Sequence, residues 1–165
     1  EHKYFVADAT KSLPVSVDSF DHAISILAIQ NMADGAAAIA NMIKALKVGG
    51  DLTIVLNHPA YRIPRQSSWG TDPQNKLEYR RINRYLSSLE IPITAHPGQP
   101  NSPVTWTYHN PISYFTNAIT AHGCAITHVE EWASDKKSVG KAARAENRAR
   151  AEFPLFLTLQ ALRER

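Results

Sequence analysis

Two short apolar runs, almost free of polar alternation, constrain this chain more than any other feature. Residues 21–29 (Asp-His-Ala-Ile-Ser-Ile-Leu-Ala-Ile) and residues 52–56 (Leu-Thr-Ile-Val-Leu) lack the in–out pattern of a half-exposed strand. Such runs read as strands covered on both faces, as in a parallel sheet. Between them Ile39, Met42, Ile43 and Leu46 follow the i, i+3, i+4, i+7 spacing of an amphipathic helix. Asp34 is placed to cap that helix and Gly49 to stop it. Strand, helix and strand in this order predict one right-handed βαβ unit.

A second helix is expected after residue 110, with Asn110 as its cap and Pro111 in its first turn. Phe115, Ala118, Ile119 and His122 share a face there, and Gly123 ends it. Residues 124–132 and 155–162 read as a closing strand pair, joined by residues 134–152, a helical and exposed excursion rich in Ala, Lys, Arg and Glu. Residues 60–103 differ. Pro64, Pro73, Pro92, Pro97, Pro100 and Pro103 fall in this stretch, and periodicity is weak. A long irregular connection inside a compact domain is usually a functional lid or a disordered insert. The dispersed Tyr61, Ile63, Trp69, Tyr79, Tyr85, Leu86 and Ile91 favour a packed lid.

The 165 residues suffice for one domain, residues 1–165, with a single core. No apolar stretch is long enough to span a bilayer. The chain opens at Glu1 rather than Met, as a fragment would. Cys124 is the one cysteine, which excludes an internal disulfide, reads as a small core residue and fits a reducing cytoplasm. The net charge of +3 arises from residues 135–152, which hold six basic and three acidic side chains. So local an excess reads as a solvated helix and argues against a nucleic-acid partner. The histidines show no metal-ligand spacing, so no metal is expected.

These elements describe an α/β sheet without chemistry; the chemistry comes from a resemblance. Phe5-Val6-Ala7-Asp8-Ala9-Thr10, Ser19-Phe20-Asp21-His22-Ala23 and Ile29-Gln30-Asn31-Met32-Ala33-Asp34 are similar to successive segments of class I S-adenosylmethionine-dependent methyltransferases. Leu46-Lys47-Val48-Gly49-Gly50-Asp51-Leu52 resembles their helix-to-strand turn, with Val48 where proline is usual. The insert from Asn57-His58-Pro59-Ala60-Tyr61 resembles that of a bacterial small-molecule subgroup, the methyltransferase-11-like enzymes. The resemblance implies part of a Rossmann-like methyltransferase sheet of strand order 3-2-1-4-5-7-6, with helices on both faces and an antiparallel C-terminal strand pair. The glycine-rich cofactor turn of that family does not occur in residues 1–165. Without the two strands that precede it in the family, the strand containing Phe5 would lose its partner and the one containing Ile24 would form an apolar edge.

The resemblance also implies roles. S-adenosylmethionine would be the cofactor, held by Asp8 and Ala9 at the adenine, Ile26 and Leu27 at the methionine moiety, and Gln30 beside the adenosine. Asp8 read alone is equally a turn former, and Leu27 equally core. His58, past the end of residues 52–56, would act as a general base, unless it only makes a His-Pro turn. Tyr61, Arg62, Trp69 and His109 would meet the substrate, a small molecule. The insert's arginines would take an anionic group, or stand solvated. The rival readings are an RNA methyltransferase, disfavoured by charge, and a non-catalytic remnant that binds a partner along its open sheet edge.

Overall fold

The structure, a computed structural model, describes residues 2–96, 98–99 and 101–165. Glu1, Pro97 and Pro100, named above, lie outside the described residues.

The βαβ unit is present. Strand β1 (Phe20–Ile26) pairs in parallel with β2 (Leu46–Asn57), Ala23 opposite Leu52 and Ile26 opposite Val55. Helix α1 (Gly35–Ala45) joins them, and the Asp34 carboxylate accepts the Ala37 N–H at 2.9 Å, satisfying a first-turn donor. The helix stops earlier than expected: Leu46 is already extended, pairs with Phe20 and is fully buried. The chain then turns inside β2. Gly49 adopts φ +84°, and a Cβ on Gly50 would lie 3.0 Å from the carbonyl oxygens of both Asp21 and Lys47. The glycine pair therefore makes the bulge that lets β2 begin beside β1, rather than the end of the helix.

Strand β8 (Phe156–Arg163) lies antiparallel between β2 and β7 (Cys124–Trp132), giving the order β1-β2-β8-β7. Counted in the order of the resemblance, these are strands 4-5-7-6. Helix α2 (Ile112–Thr120) begins after Pro111, so Asn110 does not cap it; the Asn110 side chain instead accepts from the Ser88 hydroxyl at 2.7 Å. Helices α1 and α2 pack on each other and on one core of Ile39, Ile43, Leu52, Ile54, Leu56, Phe115, Ile119, Leu157 and Leu159. Cys124 belongs to the same core. Arg163 at the end of β8 donates to the carbonyls of Ile43 and Leu46 and to the Asp18 carboxylate. It thereby occupies the electronegative end of α1.

Three expectations change. Residues 4–6 form no strand, and Tyr4, Phe5 and Val6 are exposed, because no neighbouring strand offers them hydrogen bonds. Strand β1 is covered on one face only: Ile24 and Ile26, pointing away from the core, keep 63% and 65% of their surface exposed. The excursion 134–152 is helical only as α3 (Ala143–Glu152).

The insert is also more regular than its sequence implied. Strands β3 (Ser67–Asp72) and β4 (Leu77–Ile82) form one hairpin, and β5 (Leu89–Thr94) and β6 (Val104–His109) a second. Pro92 is tolerated in β5 because that strand pairs on one side only. Gly70 lies opposite Tyr79, whose ring fills the space a Cβ would need. No helix among the described residues is long and apolar enough to cross a membrane.

Candidate active site

The site forms where β1 and β2 end. Leu27, the first residue past β1, donates its N–H to the Val55 carbonyl at 2.9 Å and sits at φ +53°. A branched residue in that left-handed region is strained, and such strain concentrates where a ligand must be met. The Leu27 carbonyl accepts the Asn31 side-chain amide at 3.2 Å, and buried Ile29 anchors the 3-10 turn Ile29–Asn31 that follows. That turn presents Gln30, whose Oε1 accepts the Asn57 N–H at 3.3 Å and so bridges the two strand ends.

A cleft, open to solvent, lies beyond this bridge, lined in part by Gln30, Asn57, Arg62, Tyr108, His109 and Phe115. The carboxyl ends of parallel strands are where doubly wound sheets place ligands. His109 ends β6, and its Nε2–H donates to the Tyr85 carbonyl at 2.9 Å. Its Nδ1 has no partner among the described residues. Burial pushes the imidazole below its ordinary pKa, opposed by the Tyr85 hydrogen bond, so the ring is held neutral.

His58 does not face the cleft. It is 1% exposed, its Nδ1 accepts the Ala60 N–H at 3.2 Å, and its Nε2–H donates to Glu131 Oε1 at 2.6 Å. Both ring nitrogens are spent on the fold, and the ring packs 4.8 Å from that of Tyr61. The expectation of a base at His58 is corrected: its backbone carbonyl accepts the Arg62 N–H at 2.8 Å, so the residue shapes the turn that delivers Arg62.

The other expected contacts separate into groups. Ile26, Leu27 and Gln30 come together at the β1 end. Ala9 is tied by its carbonyl to the Asn41 side chain at 2.9 Å, about 9 Å along α1 from the end that faces the cleft. Asp8 closes a turn, accepting from the N–H and hydroxyl of Thr10, which together hold its carboxyl below the usual range; Lys11 is 3.3 Å away. Tyr61 and Trp69 pack edge-on against Phe153, with Arg62 between them and His109. Asn57, which shapes the site, was not singled out as a contact, whereas Arg80 was read only as one of the insert's arginines that take an anionic group or stand solvated. Asn57 could have been found as the first polar residue after the apolar run of β2.

The chain's likenesses place it in a family. A family profile described as a methyltransferase domain matches residues 1–54. An S-adenosylmethionine-dependent methyltransferase from Mesorhizobium loti, solved by crystallography, is 30% identical with a TM-score of 0.68, covering 95% of this chain and 68% of that one. The chain belongs to the S-adenosylmethionine-dependent methyltransferases. A Listeria monocytogenes protein solved as a candidate methyltransferase of the same kind shares the fold at 20% identity and TM-score 0.72, covering 94% of this methyltransferase and 67% of its own chain. The glycopeptide N-methyltransferase MtfA, solved with S-adenosylmethionine bound, shares the fold at 15% identity and TM-score 0.51, covering 94% of this chain and 58% of its own. No curated protein sequence matches the methyltransferase. S-adenosylmethionine is the family's cofactor. Exposed Ile26 and Leu27 offer an apolar surface beside the amide of Gln30.

Proposed function

We propose that the complete methyltransferase methylates a small molecule seated in the cleft beyond β2, with Ile26, Leu27 and Gln30 against the cofactor. The observation that carries this is the cleft itself. It opens at the carboxyl ends of the parallel strands, where such sheets seat ligands, and the buried imidazole of His109, its pKa lowered by burial, stands in its wall. The cofactor, when bound, supplies an electrophilic methyl group. The chain's own contribution is to orient the acceptor, exclude water and remove a proton from it. His109 suits the last task because its Nδ1 is unengaged and burial keeps it unprotonated. Asp8 and Ala9 remain the proposed adenine contacts, reached once the segment before α1 is drawn towards the β1 end. We further read residues 1–165 as one domain with residues 60–103 as a lid that, with β6 completing its second hairpin, covers the acceptor, where Tyr61, Arg62 and Trp69 would touch it. A net charge of only +3 supports a small acceptor over a nucleic acid, and the lone buried thiol of Cys124 suits the cytoplasm.

The test is turnover of the full-length protein with a panel of small oxygen, nitrogen and carbon nucleophiles. His109→Ala should slow methylation about a hundredfold, the usual scale for losing such a base, and leave cofactor affinity nearly unchanged. Methyl transfer confined to RNA or protein would sink the reading. A second reading, a partner-binding role without catalysis, draws support from the open β1 edge with its exposed Ile24 and Ile26. Full-length protein that binds no cofactor would favour that role.

A further inference from the structure

Residues 60–103 carry six basic side chains (Arg62, Arg65, Lys76, Arg80, Arg81, Arg84) against Asp72, Glu78 and Glu90. Most stand at the surface, as solvated charges do. Arg80 is different. It is half-buried, its Nε–H donates to the Tyr61 carbonyl at 2.9 Å, and one Nη2–H donates to the Ser67 hydroxyl at 2.9 Å. The guanidinium lies 5.2 Å from the centre of the Trp69 ring, a cation–π distance. Arginine has five N–H donors, so three remain free on a group locked in place.

Arg62 shares an open pocket of about 270 Å³ with Arg80, Asn57 and Ser67. Its backbone is fixed by the bond to His58, but its side chain pairs with no described residue. Neither guanidinium has a carboxylate within ion-pair distance among the described residues. Two like charges are thus held close with no counter-charge. Burial first, and the positive charge of Arg62 second, pull Arg80 below its ordinary pKa. Such an arrangement favours an incoming anion, and planar guanidinium forks match carboxylate and phosphate oxygens.

We infer that Arg62 and Arg80, with Asn57 and Ser67, form a binding pocket for a carboxylate or phosphate group carried by the methyl acceptor. The pocket shares Asn57, Arg62 and Pro64 with the cleft lined by His109, so one small molecule can place its anionic end here and its reacting atom there. That the anion belongs to the acceptor rests on the proposed methyl transfer; the pocket itself does not.

Benzoate, phenyl phosphate and the neutral benzamide, titrated into the full chain without cofactor, test the pocket by NMR of the arginine Nε–H and Trp69 indole signals. Both anions should shift the Arg80 and Trp69 signals, benzamide should not, and the tighter anion identifies the group preferred. Arg62→Gln should weaken the tighter anion about tenfold or more, the scale of a charge-assisted bidentate pair. It should not disturb folding, because the Arg62 side chain touches no partner. Arg80→Lys keeps the charge but loses the fork, and should weaken binding as well. Equal binding of benzamide, or unchanged affinity in Arg62→Gln, overturns the pocket. Methyl transfer is judged separately by cofactor binding and turnover, so either idea can fail alone.

Discussion

His58 and His109 show how little a histidine's type says about its task. His58 lies immediately after a strand that points at the cleft, which made it the natural base. Its ring, however, faces Glu131 and the Ala60 N–H. Replacing it with Ala should cost about 2–3 kcal/mol, the scale for losing a buried ring and leaving polar partners unpaired. Thermal denaturation should record the loss, while the pH–rate profile of the remaining activity keeps its shape. A profile that loses its limb near the histidine range would restore His58 as a base. His109 makes a different prediction. Its folded pKa is depressed, so between the unfolded and folded values the unfolded chain binds more protons. Its stabilising share is therefore present above about pH 6.5 and is lost as pH falls through that window. His109→Gln should flatten the decline in stability below that pH, as read from denaturant midpoints at several pH values. A parallel decline in variant and parent would remove His109 from the account. The roles of both residues were undecidable in the sequence, because each depends on partners 24 to 73 positions away.

At the scale of elements, legibility tracked how local the deciding interactions are. Helix α1, with its Asp34 cap and its 3.6-residue pattern, was readable because everything that fixes it lies within a few positions. Strand β7 was read to the residue. The two insert hairpins were not, because two-stranded ribbons show no buried face to impose alternation, and Pro92 and Gly70 argued against strands. The glycine pair was recognised but given the wrong duty. It serves a bulge in β2, where three backbone oxygens surround the Cα of Gly50 within 3.2 Å of a would-be Cβ. Gly50→Ala should therefore cost about 1–3 kcal/mol, since backbone cannot move aside as a side chain can. Gly49→Ala meets no atom within 4 Å and should cost only the strain of its positive φ, roughly 1 kcal/mol. Chemical denaturation of the two variants compares them directly. Equal losses would show that the bulge relaxes.

At the scale of the whole molecule, the sheet is well packed on α1 and α2 and bare along β1, so rigidity and openness are segregated. The hairpins of the insert pair with no strand of the main sheet among the described residues; β6 rests on the 3-10 turn Ile29–Asn31, and α3 lies beside β4 with Arg148 donating to the Lys76 carbonyl. Amide hydrogen exchange in the full-length enzyme should be fast in β3–β6 and should slow when cofactor and acceptor are both bound, as a closing cover requires. Exchange there that ignores both ligands would reduce the insert to decoration.

The position of β8 has a further consequence, for the order in which the protein is made. It is synthesised after both β2 and β7, yet it sits between them and bonds to both. Until residues 156–163 leave the ribosome, β2 exposes the side that β8 will occupy, and β7 has no strand to join. The βαβ unit can form early, but the sheet closes in one late step. Arg163 then docks on the end of α1, joining β8 to a helix made well before it. A nascent chain paused before β8 emerges would hold its apolar strands open to other chains, so this methyltransferase should depend on holding chaperones during translation.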